Sequence, residues 1–199
     1  MSTIPIWMRD QVTTVDQLRG FIEEPHESIV KKTISFIDSH VENYLALASL
    51  LFLATSDLNR KTDVSPRGDK PGFIKVLDER TLAFPDRPGN RRTDSLLNMM
   101  QNPQVGLICL IPGMDEVLRI NGRARITRNV EFIARQQWGG KTTGLAVVVE
   151  TEEIFIHCPR AFKQAGLWSS ENWLPKESQP SFVEMYKAHL RINGYQEQS

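Results

Sequence analysis

Hydrophobic residues recur along the chain with more than one spacing, and each spacing names an element. From Thr14 the spacing is helical. Leu18, Phe21 and Ile22 share one side, and Thr14 with Gln17 has the interval of a capping box. Pro25 ends that helix. A second is expected from Glu27 or Ser28, with Val30, Ile34, Ile37 and Val41 along one face; Tyr44, Leu45 and Ala48 continue it or begin a third. At Leu50 the pattern changes. "LLFLATS" is a short apolar run ending in turn residues, which fits a buried strand. "DLNRK" is a turn, and "TDVSPRGDKPG" is extended backbone interrupted by two prolines and two glycines.

"FIKVLDERTLAF" reads as two strands around a turn at "DER". Residues 93–102 read as a short helix ending before Pro103, and "VGLICLI" as an apolar strand. "EVLRINGRARIT" alternates as a strand does, with Gly122 at a bulge. A short helix follows around 129–137, then two strand segments in "GLAVVVETEEIFIHC". "PRAFKQAGLW" is a helix with Pro159 in its first turn. Beyond 172 the chain is polar apart from a helix expected at 181–192, with Val183, Tyr186 and Leu190 on one face. Six or more short strands at hairpin spacing, with helices at the ends, argue against a doubly wound parallel sheet. They argue for a closed or nearly closed antiparallel barrel in a mainly β, α+β fold.

At 199 residues one domain is expected, 1–199, with residues 1–48 as a helical extension and 172–199 as a tail. Hydrophobic residues at 40% and charged residues at 24% fit a folded protein. Lys+Arg and Asp+Glu number 24 each, so the net charge is zero, which weighs against a nucleic-acid partner. The longest apolar run, 45–54, is half of the ~20 residues a membrane span needs, and no signal peptide is visible. Cys109 and Cys158 lie far apart in apolar stretches and read as buried free thiols, pointing to the cytoplasm.

Against that neutral background, "PDRPGNRRTDSL" at 85–96 places Arg87, Arg91 and Arg92 within six positions. Asn90 either caps the following helix or donates from its side-chain amide, with Arg91 and Arg92 in that helix's first turn, where a helix start already attracts anions. Two arginines there make sense opposite a phosphate. The alternative is a surface turn whose arginines pair with Asp86 and Asp94. Arg67 in "SPRG" is either a rigidly presented cation or an exposed turn residue. Arg119, Asn121, Arg123 and Arg125 share one side of a strand, either a solvated face or a face turned to the other clusters. His157 and Cys158 are adjacent, so they point to opposite faces and do not converge on a metal. Trp168 either packs in the core or covers a flat ring. No GxGxxG, Walker loop, HExxH, paired CxxC or GxSxG is present, and histidines 26, 40, 157 and 189 show no ligand spacing.

Taken in order, "DVSPRGDKPGF", "LDERTLAFPDRPGNRRTDSLLNMMQNPQVGLICLIPG", "DEVLRINGRARIT" and "EEIFIHCPRAFKQAGLW" resemble the pyridoxamine 5′-phosphate oxidase-like family of FMN-binding split barrels. They look most like a branch of FMN-dependent enzymes of unassigned substrate. The resemblance runs from about Thr14 to Trp168. It implies a six-stranded antiparallel split β-barrel and a homodimer with FMN at the interface. It further implies that Asn90, Arg91 and Arg92, with Arg87 beside them, hold the FMN phosphate and that Lys75 reaches the same cofactor. Backbone at Pro85 and Asp86 would follow the isoalloxazine edge, with Ser65 and Arg67 flanking the ring. Arg119 and Trp168 would reach the cofactor from the partner chain, and Arg67 would stabilise the reduced ring. The longer segment between "GNRR" and "NP", and the missing pyridoxamine-phosphate contacts near the C-terminus, weigh against vitamin B6 oxidation. The expected function is an FMN-dependent oxidoreductase, its hydride coming from a small-molecule substrate or reduced nicotinamide. The alternatives are a flavin-binding or sensing module without turnover, and a haem-binding relative using His157.

Overall fold

The computed structural model describes residues 5–195. Within them the chain forms two compact units, one ending at Cys158 and one beginning at Pro159. The first unit opens with α1 (Val15–Arg19), α2 (Glu27–Lys31) and α3 (Ser39–Leu47). Strands β1 (Leu50–Ser56), β2 (Thr62–Gly68), β3 (Lys75–Asp78) and β4 (Thr81–Pro85) follow, then α4 (Asp94–Gln101). β5 (Gln104–Leu110), β6 (Val117–Thr127), α5 (Val130–Arg135) and β7 (Ala146–His157) complete it. The second unit holds α6 (Arg160–Ala165) and α7 (Phe182–Ile192).

All seven strands join one sheet in the order β2-β1-β5-β6-β7-β4-β3, each pair antiparallel. The six strands expected become seven because "TDVSPRG" pairs along its whole length with β1, Leu50 opposite Gly68 through to Ser56 opposite Thr62. Pro66 lacks an N–H and is admitted because β2 is an edge. The ladder leaves β2 and β3 unpaired on their outer sides, so strand hydrogen bonds do not close the sheet. The two segments expected in 144–158 are one continuous strand, β7. Its register against β6 slips between Asn121 and Gly122, so Glu152 is the extra residue. Gly122 is required there, since a Cβ would lie 2.2 Å from the Glu150 carbonyl oxygen.

The core gathers alternate residues of the strands: Leu51 and Leu53 of β1, Leu107 and Cys109 of β5, Ile120 of β6, Val149 of β7 and Phe84 of β4. Burying each large side chain contributes about 1.5–3 kcal/mol. Leu45 of α3 and Met99 of α4 complete it.

The expected capping box at Thr14 and Gln17 is present, but Phe21 and Ile22 lie past α1 and are exposed. The second expected helix divides. Ile34 forms a bridge with Ile154 instead of a helical turn, and α3 starts afresh where the Asp38 carboxylate caps Val41 N. Cys109 is buried as expected, and burial pushes its thiol up to about 12. Cys158 is exposed, not buried, because the chain leaves the sheet at His157.

In the second unit, Gly166 ends α6 in the left-handed region at φ 56°. The Trp168 ring stacks on Phe162 at 6.4 Å. Ser181 caps α7 by accepting from Glu184 N. Among the described residues no helix is long and apolar enough to cross a membrane.

Candidate cofactor site

A cleft of about 960 Å³ opens between β2 and the segment that joins β4 to α4. Its volume lies near the top of the ~300–1,000 Å³ range of small-molecule sites. β2 presents alternate residues to it. Asp63, Ser65 and Arg67 are half-buried while Thr62, Val64, Pro66 and Gly68 are exposed. Phe73 and Leu145 supply apolar wall.

Two ion pairs span the cleft's end. Arg67 Nη1 donates to Asp86 Oδ1 at 2.9 Å, and Arg87 donates to the Asp69 carboxylate from Nε at 2.7 Å and from Nη2. Each joins β2, or the residue just after it, to the segment leaving β4. Side chains thus bridge the sheet where its ladder stays open. Thr143 Oγ1 donates to Asp86 Oδ2 at 2.8 Å, and Arg87 Nη1 donates to Lys141 O at 2.9 Å. The loop before β7 is tied to the same seam. Trp138 Nε1 anchors that loop on Phe73 O at 2.8 Å. Burial raises the Asp69 carboxyl, but the Lys70 amide and the Arg87 guanidinium outweigh it, and its pKa falls below the ordinary value.

The arginine turn proper is arranged differently from its sequence reading. α4 begins at Asp94 with Thr93 as N-cap, so Arg91 and Arg92 precede the helix instead of occupying its first turn. Asn90 does not cap α4; its Oδ1 accepts from Arg92 N at 2.9 Å. No side chain caps α4, and its first residues line the cleft. Arg92 pairs with Asp94 on the surface, which raises the guanidinium pKa. Arg91 makes no ion pair or side-chain hydrogen bond among the described residues, and its backbone lies at φ 66°.

Of the residues singled out from sequence, Ser65, Arg67, Pro85 and Asp86 line the cleft, as do Arg87, Asn90, Arg91 and Arg92. Asp86 brings its side chain, because its amide donates to Leu145 O and its carbonyl accepts from Thr143 N. Lys75 on β3 does not line the cleft. Arg119 lies over the Phe155 ring at 4.8 Å, and Asn121 donates to Glu153, so this stretch of β6 is an outer face. Trp168 belongs to the second unit. His157 ends β7 opposite Val117, and among the described residues no group of three or more His, Cys, Asp and Glu is placed to hold a metal ion.

Sequence reasoning offered Asp86 and Asp94 as partners of the arginines but missed Asp63 and Asp69. Asp63, Asp69, Asp86 and Asp94 line the cleft, four against its four arginines. It also missed Ser95, which is buried and donates to Asp63 Oδ2 at 2.6 Å, and Thr143. The alternation of Asp63, Ser65, Arg67 and Asp69 was the available signal for the first of these.

Arg67 Nε is buried and has no hydrogen-bond partner. A buried N–H without an acceptor costs about 1–3 kcal/mol. The uncapped start of α4 beside Arg91 fits a ligand that carries an anionic group.

The family described as pyridoxamine 5′-phosphate oxidase matches residues 37–158, and the chain belongs to that family. Its members bind flavin and act in redox chemistry. Among solved structures, HupZ of Group A Streptococcus is 17% identical with a TM-score of 0.47, over 60% of this chain and 93% of that one. General Stress Protein 26 of Bacillus anthracis is 12% identical with a TM-score of 0.43, over 59% and 93%. A conserved hypothetical protein of Mycobacterium tuberculosis is 13% identical with a TM-score of 0.45, over 75% and 96%. No curated protein gives a significant match.

Proposed function

We propose that the cleft binds FMN and that the protein is an FMN-dependent oxidoreductase acting on a small molecule. The observation that carries this reading is Arg91. Among the described residues it is a guanidinium without a partner, held in the left-handed region beside an uncapped helix start that opens on the cleft. Strained backbone of this kind persists where surrounding structure enforces it, and it concentrates at ligand clamps. The phosphate would sit at Arg91 and the α4 N–H groups, with Arg92 joining. The Arg92–Asp94 pair is exposed and screened by water, so it contributes little, whereas each charge-assisted bond to a phosphate is worth about 1.5–3 kcal/mol.

Arg67 and Arg87 play another part in this reading. Their carboxylate partners hold them in place at the wall of the cleft. FMN, when bound, supplies hydride and one-electron chemistry. Arg67 would add positive charge where the reduced ring becomes negative. Family members commonly form dimers, and we assign this chain to a homodimer in which Arg119 serves the second protomer's site. Mass spectrometry of the small molecule released from purified native protein tests the cofactor, and rapid-mixing reduction by NADH or NADPH tests turnover. Release of FMN and reduction of the bound flavin support the reading. A colourless protein that takes up no FMN contradicts it, and flavin that no donor reduces makes the protein a binding module.

A further inference from the structure

Ser65, Ser95 and Asp63 form a chain of hydrogen bonds that runs from the cleft inward. Ser95 Oγ donates to Asp63 Oδ2 at 2.6 Å, and Ser65 Oγ lies 2.8 Å from Ser95 Oγ. A hydroxyl has one hydrogen. Ser95 has given its own to a carboxylate, which only accepts, so the Ser65–Ser95 bond must use the hydrogen of Ser65. What Ser65 has left for the cleft is lone pairs.

Resting on the FMN reading, we propose that Asp63, acting through Ser95, is a positioning residue that holds Ser65 as a hydrogen-bond acceptor. The ligand group opposite Ser65 is then an N–H donor and not a phosphate oxygen. Two positions further along the same face of β2, Arg67 lines the cleft with the opposite polarity, a guanidinium that only donates. An acceptor beside a donor on one strand face matches an imide edge, whose N–H is flanked by carbonyl oxygens. The isoalloxazine ring carries such an edge. The chain therefore orients the ring end of the cofactor, at a distance from the phosphate end at Arg91.

The polarity can be reversed without changing shape. In Asp63→Asn an NH2 replaces one carboxylate oxygen, and turned toward Ser95 it donates to Oγ. Ser95 then donates to Ser65, and the Ser65 hydrogen turns toward the cleft, against the ligand's own N–H.

The test is a fluorescence titration of wild type, Ser65→Ala, Asp63→Asn, Ser95→Ala and the Asp63→Asn/Ser65→Ala double variant with FMN, riboflavin and 3-methyl-FMN. Ser65→Ala is expected to weaken FMN and riboflavin by the same factor, roughly 3–10-fold, as for one neutral hydrogen bond. Asp63→Asn weakens them at least as much, Ser95→Ala less, and the double variant no more than Asp63→Asn alone. The cost of Ser65→Ala disappears with 3-methyl-FMN, which has no imide hydrogen. Tighter binding in Asp63→Asn, additive losses in the double variant, or a Ser65→Ala cost that persists with 3-methyl-FMN would overturn the proposal while leaving the cofactor reading intact. If Asp63→Asn does not fold, or keeps its amide oxygen toward Ser95 and binds unchanged, Ser65→Ala with the methylated ligand decides. Failure of wild type to bind FMN overturns both.

Discussion

Arg67 Nη1 and Asp86 Oδ1 stand 2.9 Å apart and join the β2 edge of the sheet to the segment leaving β4. The ladder does not close the barrel at this seam; this pair, with Arg87 and Asp69 beside it, does so through side chains. Asp86 is buried and accepts from both Arg67 and Thr143. Removing one partner of a buried pair leaves an uncompensated charge and costs about 3–5 kcal/mol. Asp86→Ala is therefore expected to lower stability in urea unfolding by about 3 kcal/mol. A change below about 1 kcal/mol would mean that the seam is held elsewhere.

Arg91 should show opposite signs for folding and binding. Its left-handed backbone is costly for any residue with a Cβ, about 1–2 kcal/mol. Arg91→Gly relieves that strain while removing the guanidinium. Stability is expected between unchanged and about 1 kcal/mol higher, with FMN affinity at least about tenfold weaker by titration. Lower stability with unaltered affinity would make Arg91 a purely structural residue.

The lowered pKa of Asp69 fixes a pH window. A carboxyl whose folded pKa lies below its unfolded value, here 3.8, binds protons more readily when unfolded. Its stabilisation is present above the unfolded pKa and is lost as pH falls through the folded one. The stability difference between wild type and Asp69→Asn should hold steady at neutral pH and begin to shrink below about pH 4. Chemical unfolding across pH 2–7 checks this; a difference independent of pH would show that Asp69 acts by packing.

The two thiols should separate by reactivity. Cys109 is buried, with its pKa pushed up to about 12, and Cys158 is exposed. A thiol reagent at pH 8 should titrate one thiol in the native protein, two in denaturant and none in native Cys158→Ser. Fast reaction of both native thiols would show that the β1–β5 core opens readily.

Much of the sheet was legible because its signals are local. The alternation of "VLRINGRARIT" and the turn between Asp78 and Thr81 fix their elements without reference to anything distant. Gly122 was readable as a bulge for the same reason. What failed was whatever depends on pairing. Pro66 disguised β2, because a proline is admitted only at an edge, and edges are properties of the whole sheet. Ile34 sits at helical spacing from Val30 and Ile37, yet its backbone pairs with Ile154, 120 positions away. At the site, the turn at 85–96 lines the cleft, and of the pairings open to its arginines from sequence, Arg92 with Asp94 is formed, but the partner of Arg87 lies on another element. Asp69 and Asp63 meet Arg87 and Ser95 only after β2 folds across the turn.

The account stands on a flavin nucleotide whose phosphate is gripped at Arg91 and the start of α4. Comparing the dissociation constants of FMN and riboflavin for the wild-type protein tests it most directly. Two charge-assisted bonds at about 1.5–3 kcal/mol each predict that FMN binds at least about 100-fold more tightly. Equal affinity for the two, or no binding of either, would contradict it.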